Sequence, residues 1–138
     1  HIIKGEYNKV DLSSIIQISH KSKIRPDGYY GISKAYGEAM GRYYSEEYGI
    51  SVICMRIGTV NQWNNPTRNI RHFATWLSHR DLEQLVRKSL EAPMWVDYDI
   101  FYGVSNNKWR FWDTTHSKSV IGYEPQDNAE EFRNSGLI

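Results

Sequence analysis

A long stretch of helical periodicity runs almost directly into a nearly continuous apolar run, and that junction constrains the fold more than any other feature of the chain. From Tyr29 to Tyr48, Ile32, Tyr36, Ala39, Met40, Tyr43 and Tyr44 recur at three- and four-residue spacing, the period of an α-helix. Gly49 follows, where a helix C-terminus favours a positive φ. The run Ile50-Ser51-Val52-Ile53-Cys54-Met55-Arg56-Ile57-Gly58 has the length and apolar continuity of a strand buried on both faces, as in a parallel sheet.

The pattern then repeats. Residues 59–70 form a polar loop rich in Asn. Ser78-His79-Arg80-Asp81 resembles a capping box with Asp in place of Glu. It opens a helix to about Glu91, with Leu82, Leu85, Val86 and Leu90 on one face, and Pro93 stops it. Asp97 to Val104 reads as a strand in which Ile100, Tyr102 and Val104 alternate with Asp99, Phe101 and Gly103. A short helix is expected over Asp113–Val120, and a loose polar tail from Gln126. Helix, strand, loop, helix, strand, helix predicts an α/β fold with parallel pairing. Ligands bind beyond the carboxyl ends of strands in such sheets.

Ahead of the first helix, residues 4–28 read as a loop closing on Pro26-Asp27-Gly28. Its basic stretch, His20 to Arg25, reads as a solvated loop rather than a binding patch. Gly31, Gly37 and Gly41 lie inside the helix, each unfavourable by about 1 kcal/mol relative to Ala. Three such positions imply a close neighbour: a cofactor, another helix or a partner subunit.

Composition narrows the function. The chain has 138 residues, one domain's worth, with 17 basic against 16 acidic residues and a net charge of +1. That balance gives no support to a nucleic-acid partner, although the scattered Trp residues leave a single-strand binder as a distant third reading. No run is long and apolar enough to span a membrane. The single cysteine, Cys54, precludes an intrachain disulfide or a multi-cysteine zinc site and suits a reducing, cytoplasmic compartment. His20, His72, His79 and His116 show no metal-ligand spacing and read as surface or packing residues.

Tyr30 and Lys34 carry the chemistry. Four residues apart on a helix, they share one face. An ammonium beside a phenol favours the phenolate, so the pair can exchange a proton with a substrate hydroxyl or carbonyl. Alone, this spacing is weak. Its surroundings are more specific: Tyr30-Gly31-Ile32-Ser33-Lys34-Ala35-Tyr36-Gly37-Glu38, followed by a strand ending Arg56-Ile57-Gly58-Thr59.

This arrangement resembles the extended short-chain dehydrogenase/reductase family, the NAD-dependent epimerases and dehydratases. The resemblance implies that residues 1–138 form a single partial domain, the C-terminal part of a Rossmann-like doubly wound parallel sheet with flanking helices. It implies that Tyr30 is the catalytic proton-transfer residue. Lys34 would assist it and hold the cofactor ribose, with Ile57 and Gly58 beside the nicotinamide. Within the family, Arg25-Pro26-Asp27-Gly28, Arg71 before Ala74-Thr75-Trp76-Leu77-Ser78, Tyr102-Gly103-Val104-Ser105 and Trp112-Asp113 are most similar to the uronate dehydrogenases, which oxidise a free hexuronic acid to its lactone. The resemblance then implies that Arg71 grips the substrate carboxylate, as a guanidinium suits. Thr59 stands where that group carries Ser, and Asn61 and Gln62 would reach sugar hydroxyls. NAD is the implied cofactor, with NADP not excluded.

The family's glycine-rich GxxGxxG turn, which seats the cofactor pyrophosphate at a helix N-terminus, has no counterpart in the sequence. His1-Ile2-Ile3 aligns with the end of the Ser-Ser-Asn-His run on the strand before the catalytic Tyr. The expectation is a chain lacking the dinucleotide-binding half. Alone it would bind NAD weakly or not at all and would not turn over, and it would cover its apolar faces by homo-oligomerisation or with that half. The alternatives are a sugar-nucleotide epimerase or reductase of the same superfamily, and a non-catalytic remnant serving assembly.

Overall fold

Two parallel strands, β1 (Val52–Ile57) and β2 (Tyr98–Gly103), form the centre of the chain, in the computed structural model that describes residues 1–135. They pair from Val52 with Tyr98 to Ile57 with Gly103. Parallel neighbours need a crossover, and the crossover here contains α2 (His72–Thr75) and α3 (His79–Leu90). α1 (Tyr29–Tyr48) precedes β1, and α4 (Thr115–Ile121) follows β2. The expected α/β order with parallel strands and flanking helices is present.

α1 spans the predicted residues and ends at Gly49, whose φ of 63° is the left-handed conformation that glycine adopts at least cost. Its packing differs from the apolar periodicity. The side turned to the sheet carries Gly31, Ala35, Glu38, Gly41 and Ser45, while Ile32, Tyr36, Met40, Tyr43 and Tyr44 are exposed. Gly41 explains the close approach: a Cβ there would stand 2.9 Å from Val52 Cγ1. Gly31 lies against Pro26 in the same way, whereas Gly37 faces open space.

The expectation that β1 is buried on both faces is corrected. Met55 and Ile57 are 41% and 48% exposed, because β1 has a strand partner on one edge only among the described residues. The side chains of β2 point alternately to the two faces, but burial does not alternate with them: Phe101, Tyr102 and Gly103 are all buried. Tyr98 and Tyr102 face α1, while Phe101 packs with Leu85, Ile121 and Tyr123 on the opposite face. The stripe on α3 is only partly covered: Leu85 is fully buried, but Leu90 is 84% exposed.

Up to Ser135 the polar tail is not loose, and residues 136–138 lie outside the described residues. Residues Ala129–Ser135 form a 3-10 helix, Ala129 is buried, and Phe132 packs edge-on against Trp76. Tyr7, from the opposite end of the chain, joins Phe73, Trp76 and Ala129 in this second core. A buried carboxylate anchors the tail. Asp81 accepts from the Ser105 hydroxyl at 2.6 Å and from the backbone amides of Gln126 and Asp127 at 2.7 and 3.1 Å. The Ser78 hydroxyl accepts the Asp81 amide, so the expected N-cap holds.

His20 and His116 are packing residues, as expected. Their rings stack with centroids 3.7 Å apart, and His116 Nε2 lies 2.7 Å from Asp99 Oδ1. Ile18 donates to Phe111 and accepts from Asp113, so this contact and the ring stack clip the N-terminal loop to α4 and the segment before it.

Candidate active site

The antiparallel packing of α1 on β1 decides which residues meet. Gly41, in the second half of α1, meets Val52 at the start of the strand. Glu38, one turn earlier, meets Arg56 near its end. Tyr30 at the start of α1 therefore stands at the same end of the sheet as Ile57, Gly58 and Thr59. This is the carboxyl end of the strands, where open α/β sheets bind ligands.

Tyr30 is 76% exposed, and the Lys34 ammonium lies 5.0 Å from its ring centroid. The expected pair is thus formed and open to solvent. Beneath it, the Arg56 guanidinium takes both Glu38 oxygens at 2.7 Å each and reaches the Tyr102 hydroxyl at 3.2 Å. Glu38 raises the Arg56 pKa above its ordinary value. Burial pushes the neighbouring Tyr98 phenol up to about 12 and the Cys54 thiol upward as well, so neither is a ready proton acceptor.

Gly58 has a packing reason of its own. A Cβ there would come within 2.2 Å of the Thr75 carbonyl oxygen, because the strand beyond Ile57 runs beside the segment Thr75–Leu77. Thr59 donates its amide to that same carbonyl and accepts from Leu77. The Thr59 and Thr75 hydroxyls meet at 2.9 Å, and the Thr75 hydroxyl donates to the Arg71 carbonyl at 3.3 Å. Thr59 and Arg71 are thereby placed in one cluster. The Arg71 side chain is exposed and has no ion pair among the described residues.

Asn61, one of the predicted substrate-binding residues, makes its bonds within its own loop. Its amide nitrogen donates to the Asn65 carbonyl at 2.8 Å, and its side-chain oxygen accepts from the amides of Trp63 and Asn65. It folds the loop on itself, as Asx side chains do.

Sequence reasoning missed the groove beside the pair. A depression of about 680 Å³ lies between the loop before α1 and the sheet; Lys23, Arg25, Lys34, Tyr102 and Trp112 are among the residues that line it. The signals were present in the basic stretch and in Trp112, but only the tertiary fold brings residues 18–27 over residue 112. Among the described residues, no group of three or more His, Cys, Asp or Glu is placed to hold a metal ion.

The model of the NAD dependent epimerase/dehydratase family matches residues 5–98. The chain belongs to this family. Relatives of this epimerase/dehydratase-family chain include the NAD-dependent glucose-6-phosphate dehydrogenase of Haloferax volcanii, 43% identical over 81% of the chain and 42% of that protein. The uronate dehydrogenase of Pseudomonas putida is 43% identical over 79% of the chain and 39% of its own length. The solved structure of uronate dehydrogenase from Agrobacterium tumefaciens superposes with a TM-score of 0.78 at 34% identity, over 87% of this chain and 43% of that one. The family chain thus spans about two fifths of the length of the curated relatives it matches, and it shares the Rossmann-like fold of the uronate dehydrogenases over that span.

Proposed function

We propose that this chain carries the proton-transfer and substrate-gripping part of an NAD-dependent dehydrogenase that oxidises a free hexuronate at a hydroxyl carbon. The observation that carries the reading is the exposed Tyr30–Lys34 pair, set by α1 at the end of the sheet where β1 stops. The names of its relatives, a sugar-phosphate dehydrogenase and uronate dehydrogenases, support NAD-linked sugar oxidation.

The residues present fit the cofactor. Ile57 offers an exposed apolar side chain where the strand ends, and the Lys34 ammonium has no ion pair among the described residues. NAD, when bound, supplies the hydride acceptor. In this proposal Tyr30, as phenolate, takes the proton from the substrate hydroxyl. Lys34 provides the positive charge beside that oxygen and reaches the ribose hydroxyls. Ile57 and Gly58 would hold the nicotinamide end of the cofactor, and the Thr59 hydroxyl would contact the substrate. Arg71 pairs with the carboxylate through two parallel hydrogen bonds, and Asn61 reaches a sugar hydroxyl. The exposed face of α1, with Ile32, Tyr36, Tyr43 and Tyr44, supports self-association of the chain or cover by a dinucleotide-binding half. Weak binding of NAD by the isolated chain belongs to the same proposal.

Calorimetric titration tests it. Glucuronate is expected to bind, with affinity lowered by Arg71→Ala, and whatever NAD affinity the chain has is expected to fall in Lys34→Met. Glucuronate binding indifferent to Arg71→Ala would overturn the assignment of the carboxylate partner and with it the hexuronate.

A further inference from the structure

Lys34 and Glu38 stand four residues apart on α1, and both line the groove between the loop before α1 and the sheet. Opposite charges at this spacing lie on one helix face and attract each other. The ordinary outcome is an ion pair between them. The structure has a different pairing. The Arg56 guanidinium donates to both Glu38 oxygens at 2.7 Å each, through Nε and Nη2. Lys34 makes no ion pair among the described residues, and its ammonium lies 5.0 Å from the Tyr30 ring centroid.

Arg56 prevails for geometric reasons. Its planar fork matches a carboxylate through two parallel hydrogen bonds, whereas an ammonium is a point charge on a flexible stem. The fork is also held from behind. Its Nη1 reaches the Tyr102 hydroxyl at 3.2 Å, and Tyr102 is the β2 partner of Arg56 in the sheet register. Arg42, four residues beyond Glu38, is a second cation at helical spacing from it. That guanidinium lies over the Tyr98 ring, 4.0 Å from its centroid, and contacts Glu46 at 3.4 Å. The Glu38 side chain is 15% exposed, so solvent does little to weaken its pull on a nearby cation.

We propose that Arg56 is a positioning residue for the Tyr30–Lys34 pair: by occupying both oxygens of Glu38, it keeps that carboxylate from drawing Lys34 one turn along α1 and away from Tyr30. This role rests on the dehydrogenase reading for its use, since that reading requires the ammonium beside the Tyr30 oxygen. It differs in symmetry from a tie of helix to strand. A tie is broken alike by loss of Arg56 or of Glu38. The positioning role is lost only where Glu38 keeps its charge without Arg56, leaving a half-buried carboxylate with no partner. Glu38→Gln removes the pull itself and leaves Lys34 in place.

NMR on the whole chain, with lysine isotopically labelled at Cε, tests the arrangement. The Lys34 signal is identified by its loss in Lys34→Arg, and its nuclear Overhauser contact with the Tyr30 ring by its loss in Tyr30→Ala. That contact is expected in the wild type and in Glu38→Gln. Arg56→Met is expected to weaken it roughly twofold or more, the population change that an ion pair at this helical spacing produces. Adding Glu38→Gln to Arg56→Met is expected to restore it. Melting curves establish that each variant is folded at the working temperature. Arg56→Lys keeps a cation on the strand but gives up the fork, and it serves where Arg56→Met does not fold: the contact is expected to weaken, and to return with Glu38→Gln. A contact unchanged by loss of Arg56, or weakened equally in Glu38→Gln and the double variant, would overturn the proposal and leave Arg56 a structural tie. NAD affinity, where Lys34→Met lowers it, is expected to follow the same order. If the Lys34 contact responds as expected and NAD affinity does not, the positioning by Arg56 stands and the role of Lys34 in the dehydrogenase reading fails.

Discussion

Glu38 and Arg56 form a two-pronged ion pair, both contacts 2.7 Å, with side chains only 15% and 20% exposed. This contact joins the middle of α1 to the end of β1 and so sets where Tyr30 stands. Removing one partner leaves the other charge half-buried and unpaired, a change that destabilises by about 3 kcal/mol in comparable sites. Glu38→Gln is therefore expected to lower the melting temperature by several degrees. A melting curve unchanged by Glu38→Gln would show that the pair does not tie helix to strand.

Tyr30 and Lys34 separate in their effects. General acid–base groups contribute about 10²- to 10⁴-fold to rate. In the assembled enzyme, Tyr30→Phe is expected to reduce turnover by at least that lower factor with little change in substrate affinity. Lys34→Met is expected to weaken NAD binding as well. Steady-state measurement of NADH formation, analysed for kcat and KM separately, distinguishes the two.

Gly58→Ala probes the crossing beyond β1. The added methyl would meet the Thr75 carbonyl at 2.2 Å, and rigid backbone stands on both sides. Overpacking of this kind destabilises by about 1–3 kcal/mol. Chemical denaturation is expected to show a lowered midpoint, together with weaker glucuronate binding as Thr59 shifts. An unchanged midpoint would mean that the Thr75 segment yields freely.

Asp81 is fully buried and accepts hydrogen bonds from Ser105, Gln126 and Asp127. Asp81→Ala strands three donors, a loss of about 3 kcal/mol at the usual cost of unsatisfied buried groups. The tail from Gln126 onward is expected to lose its protection first, read by amide hydrogen exchange at Gln126 and Asp127.

The His20 stack gives the fold a pH dependence. Burial first, and then the neighbouring His116 and Lys21, lower the His20 pKa against the opposing pull of Asp99 and Asp113. His72 is lowered too, by burial and by Arg71. With folded-state values below the unfolded value of about 6.5, the unfolded chain binds more protons through this range. Stability is then full above pH ~6.5 and falls as the pH drops through the two values. His20→Gln is expected to flatten part of that fall and leave the share due to His72. An identical slope in wild type and variant would exclude His20 as a source.

The sequence by itself determined the local elements and the Tyr30–Lys34 pairing. α1, β2 and the N-cap at Ser78 follow from periodicity and from side chains within four residues, and the i, i+4 spacing alone places Lys34 over Tyr30. The resemblance in residues 30–38 and 56–59 indicated the family for the same reason: its motif is contiguous. Only the tertiary structure decided which face of α1 meets the sheet. The small side chains Gly31, Ala35 and Gly41 permit the closest approach, so close packing turned the larger apolar residues outward. It decided that the polar tail packs, because Asp81 and Trp76 supply partners far away in the chain. It also decided that Asn61 serves its own loop. The cationic groove joins residues 18–27 to Trp112 across some ninety positions, a contact that no local pattern encodes.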